Sequence, residues 1–141
     1  MSDDTVAAGT SAAETIAAEA LAAADTLISD FGHHRRDAYF SRFAPEATFL
    51  FHSTPARLES RAAYEQLWDE WEQQNDFRVI SCVSSDRRLQ VFGEVAVFSH
   101  DVASTVSFDG TVETLAERES IVLEKRGREW LAVHEHLSAR T

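Results

Sequence analysis

Two long stretches of alternating side chains near the end of the chain, residues 112–126 and 129–138, are separated by a short segment that contains Gly127. This pattern is typical of two antiparallel strands joined by a tight turn. Because successive side chains of a strand point to opposite faces, one face of the last strand carries Trp130, Ala132, His134, His136 and Ser138. An indole, two imidazoles and a hydroxyl are unusual core residues, so we interpret this face as the lining of a pocket.

The preceding residues predict helices first and strands afterwards. Ser11 and Glu14 have the spacing of a helix-starting capping box, and apolar residues then recur at helical spacing as far as Phe31. After residue 76 the period changes to two, which favours strands. The expected helices span about residues 12–31, 35–43 and 61–74, and the expected strands about 48–52, 77–89, 92–106, 112–126 and 129–138.

This order of elements predicts an α+β fold, with three N-terminal helices packed on a curved, mostly antiparallel sheet. Strands of a dozen or more residues twist and curl, and a curled sheet covered by helices forms a cone with an interior. Function is expected in that interior. We expect a single domain over residues 12–141, preceded by a flexible tail at residues 1–11.

The opposite face of the sheet is expected to need cover of its own. It carries the apolar side chains of Leu131, Val133 and Leu137 on the last strand and of Ile121 and Leu123 on the strand before it. One layer of helices cannot cover both faces of a sheet, so a second subunit is the expected solution. We therefore predict a homodimer with the two sheets packed face to face.

The charge of the chain excludes several classes of partner. The formal net charge is −11, with 24 acidic residues against 13 Lys and Arg, so we expect neither nucleic acid nor an anionic membrane as a partner. No apolar run approaches the roughly 20 residues that cross a bilayer, and no lysine or arginine precedes Arg35, although a secretory signal would require one near its start. Cys82 is the single cysteine, which is compatible with a reducing compartment, and we expect a cytoplasmic location.

Histidines and aromatic residues are the first candidates for a site. His134 and His136 could line a pocket, transfer a proton near neutral pH, or bind a metal. The metal alternative lacks a convergent carboxylate, so we expect neither a metal nor a cofactor. His100 is interpreted as pocket lining or as an ordinary buried residue. Trp68 and Trp71 share a face of the third helix, where core packing is the more common role and ligand contact the alternative.

Three local strings resemble the nuclear transport factor 2-like superfamily, in its SnoaL-like branch. The strings are Arg36–Phe49 (RDAYFSRFAPEATF), Leu58–Tyr64 (LESRAAY) and Trp130–Ser138 (WLAVHEHLS). The last string is also similar to the end of the calcium/calmodulin-dependent protein kinase II association domain. The resemblance covers about residues 20–138 and implies a cone-shaped fold. It implies little about activity, because the superfamily includes isomerases, cyclases, dehydratases, carriers and assembly domains.

The resemblance also implies roles for particular side chains. In such relatives an arginine of the penultimate strand can point into the cone, where Arg118, beside Ser120, could bind a carboxylate or phosphate. The alternative for Arg118 is a salt bridge with Asp101 or Glu94. His52, at the end of the first strand, lies where relatives place reactive groups.

Ketosteroid isomerases in the superfamily provide a specific comparison. They use an aspartate base on the first strand, together with a tyrosine and a protonated aspartate that stabilise the oxyanion. The matching stretch here, residues 49–52, contains no carboxylate, and Tyr39 corresponds only loosely to the tyrosine. Steroid isomerisation by that route is therefore not expected.

Three functions stay open at this point. The first is a binding module whose cone holds a small, partly apolar molecule that could be anionic, contacted by Arg118, His134 and His136. The second is an isomerase, cyclase or dehydratase in which His52, His134 or His136 removes a proton while Arg118 or Tyr39 stabilises the enolate. The third is an oligomerisation or assembly domain.

Overall fold

The computed structural model describes residues 11–140, so the expected tail at residues 1–11 lies outside the described part except for Ser11. The helices are α1 (Ala12–Gly32), α2 (Arg36–Ser41) and α3 (Arg61–Asn75), and the strands are β1 (Phe43–Phe51), β2 (Arg78–Phe92), β3 (Val95–Phe108), β4 (Thr111–Arg126) and β5 (Glu129–Ala139). The predicted α+β order is confirmed. The main difference is β1, which begins at Phe43 rather than at Thr48.

Two of the helices, α1 and α3, begin where a side-chain oxygen satisfies a free backbone N–H group. Ser11 Oγ accepts from the Glu14 N–H at 3.1 Å, and the Glu14 carboxylate accepts from the Ser11 N–H at 2.8 Å. This confirms the predicted capping box. Ser60 Oγ accepts from the Ala63 N–H at 3.1 Å and caps α3 in the same way. No helix within residues 11–140 combines the length and the apolar character that crossing a membrane requires.

A curved, unclosed sheet of five strands supports the helices. The strand order is β1-β5-β4-β3-β2, with β1 parallel to β5 and all other neighbours antiparallel. The helices pack on one face of this sheet, with α1 against β2 and α3 against β1. We call the face toward the helices the inner face and the opposite one the outer face.

The hydrophobic core lies between the helices and the inner face. Its largest enclosed side chains are Trp68, Tyr39, Phe43, Phe49, Phe98, Ile121 and Leu123. Ile121 and Leu123 were expected on the face that a second subunit covers, and that expectation is wrong. Their burial shows that the odd-numbered residues of this part of β4 point inward, since Phe98 and Ala96 of β3 face them across the ladder.

A β-bulge interrupts the alternation of β5. Leu123 of β4 pairs with Ala132, but the next pair joins Val122 to His134, so Val133 has no partner across the ladder. An extra residue in one strand shifts every following side chain to the opposite face.

The bulge exchanges the faces of the two histidines and a glutamate. Trp130 and Ala132, before the bulge, are buried against the core, and Glu135, after it, is buried as well, with 2% of its surface exposed. His134 and His136 therefore lie on the outer face, where His136 is exposed. The expectation that their rings look into the cone is wrong, because it assumed an uninterrupted strand.

Candidate functional site

A cavity of about 440 Å³ lies between the inner face of the sheet and the three helices. Its wall is mostly apolar, with aromatic side chains that include Phe31, Tyr39, Phe51, Tyr64, Trp71 and Phe77. Both the volume and the apolar character are typical of sites for small molecules.

The polar part of the wall is dominated by acidic side chains. Glu113, Glu117 and Glu119 point inward from alternating positions of β4, and Glu135 joins them from β5. Among residues 11–140, no lysine or arginine lines the cavity, and His52 is the basic side chain on its wall. The cavity is therefore acidic, which disfavours the anionic ligand considered from the sequence.

Glu119 of β4 and Glu135 of β5 bring two carboxyl groups together inside this wall, near enough to share a proton. Burial and the charge of Glu119 raise the pKa of Glu135 well above its ordinary value. Burial opposes ionisation of Glu119 as well, but hydrogen bonds from Glu135 and His100 bring the pKa of Glu119 below its ordinary value. Two carboxyl groups can share a hydrogen bond only through a proton, and we assign that proton to Glu135.

His100 lies outside the cavity and forms a hydrogen bond with Glu119. Its Nε2 donates to Glu119 Oε1 at 2.6 Å, and its Nδ1 lies 2.6 Å from Ser84 Oγ, which donates to it in that tautomer. The His100 ring is buried and does not reach the cavity. Of the two interpretations of His100, the structure thus shows the buried one, with a positioning contact to an acidic wall residue.

His52 and Glu117 form a second pair nearer to solvent. His52 Nε2 lies 2.6 Å from Glu117 Oε2, and the His52 side chain is 37% exposed whereas that of Glu117 is nearly buried. Burial raises the pKa of Glu117, and the contact with His52 opposes this shift. An imidazole that is oriented by a carboxylate and open to a cavity has the form of a general acid–base group.

Tyr39 and Tyr64 place two phenol groups beside the carboxyl pair. Their hydroxyl oxygens are 3.1 Å apart, and both residues line the cavity. Burial, and after it the charge of Glu135, raises the pKa of each phenol well above its ordinary value. Both phenols are therefore neutral, and one of the two donates the hydrogen bond that joins them.

Arg118 lies on the outer face, together with Ser120. The Arg118 side chain is 67% exposed, and its Nε donates to Asp101 Oδ1 at 3.2 Å. Of the two alternatives for Arg118, the structure shows the salt bridge with Asp101. The expectation that Arg118 points into the cone is wrong, because Ile121 and Leu123 hold the odd-numbered side chains of β4 inside.

The aromatic residues predicted to contact a ligand are divided between the cavity wall and the core. Tyr39 and Trp71 are on the cavity wall. Trp68 is fully buried in the core, where its indole N–H donates to Glu72 Oε2 at 2.7 Å, and it does not reach the cavity. His134, expected near the ligand, instead lies 2.8 Å from Thr48 Oγ1 on the outer face.

The acidic wall was not predicted from the sequence. The sequence did indicate that Glu117 and Glu119 could point inward, since they lie on the same face of the strand as Ile121 and Leu123, which are typical core residues. No comparable signal existed for Glu135, because its position depends on the bulge. Within residues 11–140, no group of three or more His, Cys, Asp or Glu side chains is arranged to hold a metal ion.

Solved structures with a similar fold are numerous, and three of them illustrate the range. An NTF2-like protein from Cytophaga hutchinsonii superposes with a TM-score of 0.74 at 11% identity, over 93% of this chain and 100% of its own. A ketosteroid isomerase-like protein from Erwinia carotovora atroseptica gives 0.73 at 15% identity, over 89% and 96%. The CaMKII hub of S. rosetta gives 0.71 at 21% identity, over 88% and 96%. At such identities the likeness shows a shared fold alone.

The sequence itself matches a family description. No curated protein is a significant match to this chain. The model of the SnoaL-like domain, however, matches residues 20–141, which is most of the chain and includes every strand and the greater part of α1. This chain therefore belongs to the SnoaL-like domain family, and it shares the fold of the NTF2-like structures.

Proposed function

We propose that this protein binds a small, largely apolar molecule in the cavity between its helices and its sheet. The observation that carries the proposal is the cavity itself, about 440 Å³ in volume, with aromatic and aliphatic walls and its polar groups gathered on β4 and β5. Apolar walls favour burial of a ligand body, and a few polar groups on one side orient it. The negative charge of those groups removes an anionic ligand from the proposal.

A substitution that fills the cavity tests this proposal. Leu115 lines the cavity, whereas its neighbour Thr114 is exposed and pairs with Thr105 on the outer face. Leu115→Trp should abolish the thermal stabilisation that small aromatic compounds give the wild-type protein, and Thr114→Trp should preserve it. The measurement is a thermal-shift screen of a fragment library against the three proteins. Equal responses from wild type and Leu115→Trp would place binding elsewhere.

A second candidate is acid–base catalysis within the same cavity, favoured by the contact between His52 and Glu117. The imidazole is oriented by a carboxylate at 2.6 Å and is partly open to solvent. His52 would remove a proton next to a carbonyl group, and the protonated Glu135 or a phenol of Tyr39 or Tyr64 would donate a hydrogen bond to the resulting enolate.

Exchange of carbonyl-adjacent protons tests the catalytic candidate without a known substrate. Cyclohexanone in D₂O is a suitable probe, with nuclear magnetic resonance as the readout. The wild-type protein should accelerate exchange, and His52→Gln should reduce that acceleration by about 100-fold, within the usual range for a general base. His136→Gln, on the outer face, is the matched control and should behave as wild type. Exchange no faster than in buffer would exclude this activity toward simple ketones.

We also propose self-association through the outer face, although Ile121, Leu123 and Leu137 of the apolar set first expected there lie on the inner side. Val97 and Val122 face each other on this side of the ladder, and Leu50 of β1 lies beside His136. The CaMKII hub domains among the similar structures are a precedent for this fold in an assembly. Val122→Arg should lower the mass measured by sedimentation velocity, and a wild-type protein that already sediments as a monomer would contradict the proposal.

A further inference from the structure

We propose that the molecule bound in the cavity is an amine, whose ammonium group lies against the carboxyl groups of Glu119 and Glu135 and whose apolar body contacts the aromatic wall. This inference rests on the proposed binding function and adds the chemical class of the ligand. Three observations support it: the negative charge of the cavity wall, the missing hydrogen-bond partner of the buried Glu135 carboxyl group, and the aromatic side chains around that group.

The charge of the wall favours a cation. Four glutamates line the cavity, and neither lysine nor arginine among the described residues does so. Each of the two nearby imidazoles already contacts one carboxyl group of the wall: His52 contacts Glu117 and His100 contacts Glu119, both at 2.6 Å. A positive charge on the ligand would therefore enter a site that has an excess of carboxyl groups.

Glu135 lacks the partners that a buried carboxyl group normally has. It is 2% exposed and lines the cavity, yet no N–H or hydroxyl group among residues 11–140 donates to its Oε1. Its hydrogen-bonding neighbour is Glu119, itself a carboxyl group, so the pair needs a proton between them. An ammonium group supplies several N–H donors and a full positive charge, and can take the place of that proton.

The groups around the pair suit an ammonium group on an apolar body. Tyr39 of α2 and Tyr64 of α3 present neutral phenols whose oxygens can accept a hydrogen bond and whose rings attract a cation. Besides His100, which donates to Glu119, the titratable groups that face the pair are Glu117 and Cys82, while α1 contributes the apolar side chains of Leu27, Ile28 and Phe31. Glu117, Cys82 and these apolar side chains do not repel a cation.

Release of a proton on binding follows from this arrangement. Glu135 holds a proton in the free protein, and a bound ammonium group favours the ionised form of the same carboxyl group. Aliphatic amines are protonated at pH 7, like the lysine side chain. Binding of the amine should therefore release about one proton per site, whereas a neutral molecule of the same shape should release none.

Calorimetric titration with three matched probes tests the inference. The probes are 2-phenylethylamine, 2-phenylethanol and 3-phenylpropanoate, which share a phenyl body and differ in the charge of the polar end. We expect 2-phenylethylamine to bind at least about tenfold more tightly than the alcohol, the effect of one charged hydrogen bond, and 3-phenylpropanoate not to bind. Titration in phosphate and in MOPS, whose heats of ionisation differ and neither of which is a primary amine, counts the protons released.

Two variants test whether Glu135 is responsible for the amine preference and the proton release. Glu135→Gln should lose the preference for 2-phenylethylamine and the proton release while still binding 2-phenylethanol, and the alcohol thereby shows that the variant is folded. Glu129→Gln, at the exposed start of β5, should match the wild type. An alcohol that binds as tightly as the amine, or an amine affinity unchanged in Glu135→Gln, would overturn the amine inference and leave the cavity proposal standing. Failure of all three probes to bind wild type would overturn both.

Discussion

Replacing Glu135 by Gln should remove a loss of stability that the wild-type protein suffers as the pH rises. Glu135 is buried, shares a proton with Glu119 and has a pKa well above its ordinary value because of that burial. The folded protein thus keeps a proton at pH values where the unfolded chain has released it. Each such proton lowers the free energy of unfolding by about 1.4 kcal/mol for every pH unit.

The pH window of this effect follows from the direction of each shift. It opens near pH 4.3, roughly the pKa of a glutamate in an unfolded chain, and closes at the raised pKa of Glu135 in the folded protein. Glu119, with a lowered pKa, affects stability only at lower pH, where its folded and unfolded states differ in protonation. Burial raises the pKa of Glu117, which adds a slope of the same sign to wild type and variant and cancels in their comparison.

Urea unfolding followed by tryptophan fluorescence measures the effect between about pH 5 and about pH 7. The stability of Glu135→Gln relative to wild type should increase by about 1.4 kcal/mol per pH unit as long as the wild-type carboxyl group stays protonated. Glutamine keeps the shape of the side chain and can donate its amide N–H to Glu119. Glu129→Gln, exposed on the same strand, should run parallel to wild type. If Glu135→Gln also runs parallel, Glu135 is ionised in the folded protein and our assignment of the proton fails.

Substitutions at three further positions test the packing, a helix cap and the outer face, each by urea unfolding. Trp68→Ala should cost about 3–5 kcal/mol, because Trp68 is enclosed among core rings, and a cost near that of a surface change would refute this packing. Ser60→Ala should cost about 1 kcal/mol through loss of the α3 cap, and Ser60→Gly clearly less. Arg118→Ala should cost less than about 1 kcal/mol, since its ion pair with Asp101 is exposed, and a larger loss would indicate an additional partner.

The beginnings of the helices and the positions of the hairpins could be predicted from the sequence because their signals are local. Ser11 and Ser60 cap α1 and α3 through residues three positions away, and Gly127 adopts a positive φ of 65° in the turn between β4 and β5. Such interactions form within a few residues of one another and depend little on the rest of the molecule.

The parallel pairing of β1 with β5 could not be predicted in this way, since it joins residues that lie far apart in the sequence. Thr48 pairs with His134 and Phe51 with Leu137, and no feature of either strand by itself shows that they are neighbours. The family resemblance implied a cone-shaped fold with a mostly antiparallel sheet, whereas the parallel pairing, its register and the early start of β1 at Phe43 came from the structure.

The sequence by itself determined which residues of an uninterrupted strand share a face, and only the tertiary structure decided which face looks inward and where a bulge interrupts the strand. Alternation defines two sides without saying which one the helices cover, so Arg118 was expected inside and Glu117 and Glu119 outside, the reverse of what is found. The bulge at Val133 could not be predicted from the sequence either. It is a property of the pairing between β5 and β4, and no conformational preference of the residues near Val133 indicates it. Those two choices convert a cavity expected to carry imidazoles and a guanidinium into one lined by carboxyl groups.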